Sequence, residues 1–211
     1  MLIYSDATTL ILSVRQHGVT ALQAVRDWGQ VQPGQQVLVN GASGGVGTFA
    51  VQIAKALGAQ VTGVCSASSA GLVRSLGADV VIDYTREDFT RGTRRYDVIL
   101  DVPHLATHSL AGLRRALTPH GILIPASNTP NRWIGGFSRI LPARLMAPFV
   151  PGRTRAPTMA PRPADLAALA DLIASGKLTP VIDRTYPLAQ VPEALRHFGQ
   201  GHTRGKIVIT V

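Results

Sequence analysis

Short apolar runs bounded by glycine, proline or charge recur along this chain, alternating with stretches whose apolar positions repeat every three to four residues. The runs fall at 36–40, 60–65, 79–83 ("DVVID"), 96–101 ("YDVILD") and 121–126 ("GILIPA"). Their length and their Val and Ile content predict strands. Because they are apolar throughout rather than alternating, both faces of each strand should be covered. Between the first two, Val46, Ala50, Ile53 and Leu57 share one face of a helix predicted over 46–57, which Gly58 stops. Shorter helices are predicted over 70–76 and 109–117. Strand–helix alternation with doubly covered strands implies an α/β fold built on a doubly wound parallel sheet.

Three stretches stand outside that rhythm. A helix over 19–28 leads in, and Pro33-Gly34 turns the chain into the first strand. Residues 129–163 are rich in Pro, Gly and Arg and read as an insertion. The tail then runs helix (164–175), strand (180–188), helix (192–198) and strand (205–211), and no internal repeat is visible.

Composition narrows the class of molecule. At 211 residues the chain can bury one substantial core with a small appendage. Cys65 is the one cysteine, so no internal disulfide or multi-cysteine zinc site is possible, and a reducing cytoplasm is expected. Asp6 and Arg144 interrupt the longest apolar runs and nothing near Met1 reads as a signal peptide, so no stable membrane insertion is expected. The formal charge of +9 is concentrated in one place: residues 122–164 hold Arg132, Arg139, Arg144, Arg153, Arg155 and Arg162 and no acid. No aromatic series accompanies these arginines, so the excess reads as a solvated segment and not as a nucleic-acid face.

The stretch "VLVNGASGGVG" at 37–47 runs a strand through a glycine cluster into a helix. Free amides and the helix dipole at such a turn favour an anion, and the missing β-carbons let a phosphate come close. Three phosphate-binding patterns compete for it. A Walker A loop fails, because Ala42 stands at its first glycine and Thr48 at its lysine. The spacing Gly41-x3-Gly45-x-Gly47 fits the short-chain dehydrogenase turn, but none of Tyr4, Tyr84, Tyr96 and Tyr186 has the lysine four residues later that this family's chemistry uses. Gly41-x2-Gly44-x2-Gly47 is a dinucleotide-binding variant with Ala42 at the second glycine. On this pattern Gly41, Ser43, Gly44, Gly45, Val46 and Gly47 would contact the diphosphate.

The wording around the turn goes further. "GVTALQAV", "VLVNGASGGVGTFAVQIAKALGAQVTGVCS", "LVRSLGADVVIDYTREDF", "GKLTPVIDRTYPLAQVPEALRHF" and "RGKIVITV" resemble the medium-chain dehydrogenase/reductase superfamily, in particular its zinc-independent quinone oxidoreductase branch. The resemblance covers about 18–211 and is weaker over 102–164. It implies a Rossmann-type dinucleotide-binding fold over 18–178, with 129–163 as its insertion and 1–17 as an unmatched leading segment. Residues 179–211 would be the remnant of a second β domain, their strands normally shared with a catalytic domain for which 1–17 is too short. Those strands should then lie partly unpaired, exposing Val181, Ile182, Ile207 and Ile209 and favouring a homo-oligomer.

The resemblance also implies a nicotinamide cofactor. No acid lies between the glycines and Asp79 where an NAD site would hold the ribose, so NADP(H) is expected over NAD(H), with Ser66 and Ser68 donating to the 2′-phosphate. By resemblance, Tyr84 would stand at the adenosine end and Thr20 near the nicotinamide. Pro103 and His104 replace a glycine-containing loop usual beside the nicotinamide. Zinc-dependent members need Cys/His ligands, but Cys65 and His17, His104, His108, His120, His197 and His202 form no ligand pattern, so no metal is expected. The implied activity is hydride transfer from NADPH to a small-molecule acceptor, a quinone or an activated C=C or C=O, with no catalytic side chain identifiable. The other reading is a nucleotide-binding module without turnover.

Overall fold

The computed structural model describes residues 2–3, 14–102, 108–126, 153–155, 160–201 and 203–210. Its strands are β1 (Leu2–Ile3), β2 (Gln36–Asn40), β3 (Gln60–Cys65), β4 (Val80–Asp83), β5 (Tyr96–Asp101), β6 (Leu117–Pro125), β7 (Arg153–Thr154), β8 (Ile182–Pro187) and β9 (Lys206–Thr210). Its α-helices are α1 (Val19–Leu22), α2 (Gly45–Ala56), α3 (Ala70–Ser75), α4 (Leu110–Arg115), α5 (Pro163–Ala174) and α6 (Val191–Gly199). The expected lead-in helix is present and starts earlier: wider π-helical turns at Val14–Gly18 and Gln23–Trp28 flank α1.

Six strands form one parallel sheet in the order β4-β3-β2-β5-β6-β7. Successive residues of β2 point to opposite faces, and both faces are buried. Val37 and Val39 join the core beneath α1, α2 and α5, whereas Leu38 joins a second core with Ile99, Leu113 and Leu123 beneath α4. Each such fully buried Val, Leu or Ile contributes roughly 1.5–3 kcal/mol relative to exposure, which is why a continuous apolar run rather than an alternating one specifies these strands. Gly58 ends α2 at φ 83°, as its sequence position predicts.

Two boundaries differ from the pattern-based expectation. The segment read as a helix to 117 is shorter, because Ser109 caps it, its hydroxyl accepting from the Gly112 amide at 3.1 Å. Strand β6 then begins at Leu117 instead of 121. The Tyr96 amide donates to the Ala116 carbonyl at 2.9 Å and Leu117 pairs with Tyr96, so the chain passes from helix directly into sheet. Strand β7, inside the arginine-rich stretch, was not visible as an apolar run at all. It adds to the β6 edge through Ile122 and Leu123. Residues 129–152 and 156–159 of the expected insertion, including Arg132, Arg139 and Arg144, lie outside the described residues, as do Pro103, His104 and His202.

The tail forms a separate three-stranded parallel sheet, β1-β9-β8, with α6 as the crossover between β8 and β9. The expectation of partly unpaired tail strands is corrected for β9, which pairs on both sides, while among the described residues β8 pairs on one side only. Leu2 and Ile3 pair with Val208 and Ile209, so β9 is central, and Ile207 and Ile209 are buried with Tyr186 and Ala194. Ile182 alone of the four residues expected to protrude is largely exposed, on the outer strand β8, and Val181 is half-buried.

A polar clasp holds α5 against the lead-in helix. Asp165 is 1 % exposed and receives Arg26 at 2.6 Å, Arg162 at 3.0 Å and Gln23 at 2.7 Å, while Asp27 bridges Arg26 and Arg162. Burial opposes the charge on Asp165, but the hydrogen bonds from Arg162, Arg26 and Gln23 outweigh it and hold its carboxyl well below the usual range.

Candidate functional site

The carboxyl ends of β2 to β5 line one edge of the sheet, and the chain reverses its winding between β2 and β5. In open α/β sheets a ligand crevice opens at that switch point. Here it is marked by two buried polar side chains at the strand ends, Asn40 donating to Asp101 at 2.9 Å.

The glycine turn lies at this edge. The Gly41 amide and the Ala42 amide both donate to the Val64 carbonyl, at 3.1 and 2.9 Å, which fixes the turn to β3. Gly41 has φ 79°, a left-handed conformation that glycine adopts without strain. Gly47 makes the closest approach: a β-carbon there would lie 2.1 Å from the Gly41 carbonyl oxygen and 2.8 Å from the Ala42 Cα. The third glycine therefore lets α2 sit directly on the strand end. At Gly44 a β-carbon would meet only the Gly41 oxygen, at 3.4 Å, so the space in front of the helix is open. No acid occupies the first turn of α2 to compete for its amides.

A cation absent from the sequence reading completes this turn. The Gly205 amide donates to the Ser43 carbonyl at 2.9 Å, docking the start of β9 onto the glycines. Lys206 then projects toward α2, where a β-carbon on Gly45 would be 3.1 Å from its Cε and 3.2 Å from its Nζ. His17 meets Lys206 there, Nε2 to Nζ at 2.7 Å. Burial pushes the Lys206 ammonium down to about 8. The available signal was compositional: Lys206 is one of three lysines in a chain otherwise reliant on arginine.

Of the other predicted residues, Ser66, Ser68 and Tyr84 gather at the β3 and β4 ends, whereas Thr20 lies on α1. Ser66, Ser68 and Ser69 form a hydroxyl cluster, Ser66 Oγ lying 3.1 Å from Ser68 Oγ and 3.4 Å from Ser69 Oγ. Tyr84 is 52 % exposed, and its amide donates to the Cys65 carbonyl at 3.2 Å, which places a free aromatic face beside the serine turn. Thr20, one turn beyond His17, donates its hydroxyl to the Gln16 carbonyl at 2.7 Å. The structure also brings Asp83 to this end, which the linear spacing hid, because Asp83 pairs in register with Cys65. Hydrogen bonds from the Thr85 backbone and hydroxyl hold the Asp83 carboxyl below its usual value, and Arg86 adds to this. Burial, with Asp83 nearby, pushes the Cys65 thiol up, so it is a packed side chain rather than a nucleophile.

Among the described residues no group of three His, Cys, Asp or Glu side chains could hold a metal ion. His197 is engaged with Asp183 at 2.8 Å and His108 faces Asp88 at 3.4 Å. No helix of the described residues is long and apolar enough to cross a membrane.

Comparison with known proteins adds an independent line. Residues 76–209 match the family described as zinc-binding dehydrogenase. The chain is 33 % identical over 207 residues to the mitochondrial NAD(P)H oxidoreductase RTN4IP1 of Mus musculus, a match covering 84 % of this chain and 48 % of that protein. It is 30 % identical over 203 residues to the chloroplast envelope quinone oxidoreductase homolog of Arabidopsis thaliana, covering 91 % of this chain and 59 % of the relative. The solved quinone oxidoreductase from Coxiella burnetii superposes with a TM-score of 0.78 at 27 % identity, covering 94 % of this chain and 59 % of that one. The chain thus spans about half the length of the curated relatives it matches.

Proposed function

The chain belongs to the zinc-binding dehydrogenase family of the medium-chain dehydrogenase/reductase superfamily, and on that premise we propose that it is an NADPH-dependent oxidoreductase delivering hydride to a quinone or an activated C=C or C=O. The observation that carries this reading is the half-buried Lys206 ammonium set against Gly45 at the N-terminus of α2. An open, amide-lined turn with one half-buried cation fits a diphosphate bridge. The amides of Gly44 to Gly47 and the Lys206 ammonium would hold the diphosphate, Tyr84 would cover the adenine, and Ser66 and Ser68 would donate to a 2′-phosphate. When bound, the cofactor supplies the hydride; the protein's part is to fix its orientation and exclude water. The described side chains do not fit a catalytic zinc, so no step is assigned to one. The mitochondrial and chloroplast locations in the relatives' names belong to those proteins; a reducing compartment such as the cytoplasm suits the buried Cys65 thiol.

Preference for NADPH is the sharpest part of this reading, since Asp83 stands near the serines and opposes a phosphate. With two hydroxyl donors and Arg86 on the other side of the balance, NADPH should bind about tenfold more tightly than NADH at low salt. Titration followed by Trp28 fluorescence measures both. Equal affinities, or tighter NADH, would remove the 2′-phosphate assignment, and no binding of either would remove the function.

The span of this chain relative to its relatives favours a second reading, a nucleotide-binding module whose turnover needs residues beyond these. NADPH consumption with a quinone acceptor separates the two. Self-association belongs to the same proposal: among the described residues nothing pairs with the outer edge of β8, and Ile182, Leu188, Leu195 and Phe198 of the tail unit are each about half exposed. A dimer or larger assembly is expected at micromolar concentration, weakened by Leu195→Glu; sedimentation as a monomer throughout that range would contradict it.

A further inference from the structure

The Lys206 and His17 nitrogens are 2.7 Å apart, a separation that requires a proton on one and a lone pair on the other. Two cations repel in that geometry, so the pair carries at most one positive charge, and while Lys206 is protonated its ammonium donates to the imidazole lone pair. The β-carbon that Gly45 lacks would lie 3.0 Å from His17 Cδ2 and 3.2 Å from Lys206 Nζ, so the pair faces the first residue of α2.

Among the described residues few other charges bear on Lys206. Strand β1, on one side of β9, contributes Leu2 and Ile3. Strand β8, on the other, contributes Asp183, already held by His197 at 2.8 Å, and the exposed Arg184. Arg204, two residues before Lys206, is exposed, and neither α2 nor the π-helical turn carrying His17 has an acid in its first turn. Among the described residues no carboxylate lies within 4.0 Å of the Lys206 Nζ.

We propose that this pair makes dinucleotide binding proton-linked: the diphosphate binds the form in which Lys206 is charged, and a proton is taken up from solvent wherever Lys206 of the free protein has lost it. The inference rests on the reading that the glycine turn holds a diphosphate, and adds to it a residue, His17, that positions the ammonium. The sign follows from the charges. Phosphate oxygens beside the ammonium favour its protonated form, so the midpoint of the bound state lies above that of the free protein, which is about 8. Affinity is therefore full below that midpoint and falls as pH rises through it, approaching tenfold per pH unit until the bound form also titrates.

Calorimetric titration of NADPH and NADH at about pH 7 and about pH 9.5, each in two buffers of different ionisation heat, tests this, because the diphosphate bridge itself does not titrate in that window. Uptake close to zero at the lower pH and approaching one proton at the higher is expected, with roughly thirtyfold weaker binding there. Lys206→Arg keeps the charge at both pH values. It should abolish the uptake while holding affinity at the lower pH within about threefold. Lys206→Met should abolish the uptake and weaken binding at the lower pH at least about tenfold. His17→Leu removes the lone pair that steadies the ammonium and should move the pH profile to lower values, a shift that a merely structural role would not produce. Binding by the unaltered protein that is independent of pH and takes up no proton would overturn the inference and leave the nucleotide reading intact. Failure of both dinucleotides to bind at either pH would overturn both.

Discussion

Gly47→Ala should cost on the order of 3–5 kcal/mol of stability, enough to unfold much of the population of an ordinary domain of this size. The added methyl would fall 2.1 Å from the Gly41 carbonyl oxygen and within 2.9 Å of two Ala42 backbone atoms. Every one of these contacts is backbone, so no side-chain rotation relieves them. The Gly41 and Ala42 amides are tied to the Val64 carbonyl, and Phe49, Ala50, Val51, Ile53 and Ala54 behind Gly47 are all buried, so neither turn nor helix can retreat cheaply. Urea denaturation measures the loss. A variant within about 1 kcal/mol of the unaltered protein would show that α2 slides along the sheet, contrary to the close packing described.

Gly44→Val should do the opposite: leave the fold nearly intact and weaken dinucleotide binding by at least about a hundredfold. Gly44 has φ −81° and ψ 177°, extended backbone open to any residue, and the new β-carbon would meet only the Gly41 oxygen, at 3.4 Å. Its branched side chain would fill the open space in front of the helix amides, and a phosphate held off by even about 2 Å loses the charge-assisted hydrogen bonds that make such a turn an anion site. Far-ultraviolet circular dichroism and thermal melting establish folding, and fluorescence titration reads affinity. Retained binding in a folded Gly44→Val protein would mean that the turn is architectural only. The two substitutions, three residues apart, separate what the glycines do for packing from what they do for a ligand.

The parts of this molecule that the sequence makes legible are those set by local pattern. Strands buried on both faces declare themselves as unbroken apolar runs, which is why β2, β3 and β5 were placed to the residue. The glycine turn is equally local, since strand, turn and helix N-terminus are contiguous. Elements held by pairing with distant segments are not legible in this way. β7 has only two residues and owes its existence to the β6 edge. The central place of β9 depends on pairing with Leu2–Ile3, some two hundred positions away along the chain. At the site, the serine turn and Tyr84 follow from strand ends, whereas Lys206, His17 and Asp83 reach it through tertiary contacts that no spacing rule encodes. Asp83 in particular is invisible to a search for an acid after the second strand, because it arrives from the next strand over.

The docking of Gly205 on Ser43, with Lys206 and His17 meeting beyond it, has a consequence for how the protein is made. The turn itself is assembled from residues close together in the chain and can form as soon as β2, β3 and α2 have emerged. Its cation comes from Lys206, about 160 positions further along the chain, through a closure of high sequence separation that is entropically expensive and slow. A nascent chain that has already built the strands of its main sheet therefore still presents a half-finished anion cradle. Ligand affinity is thereby acquired only once Gly205 and Lys206 have docked on the turn.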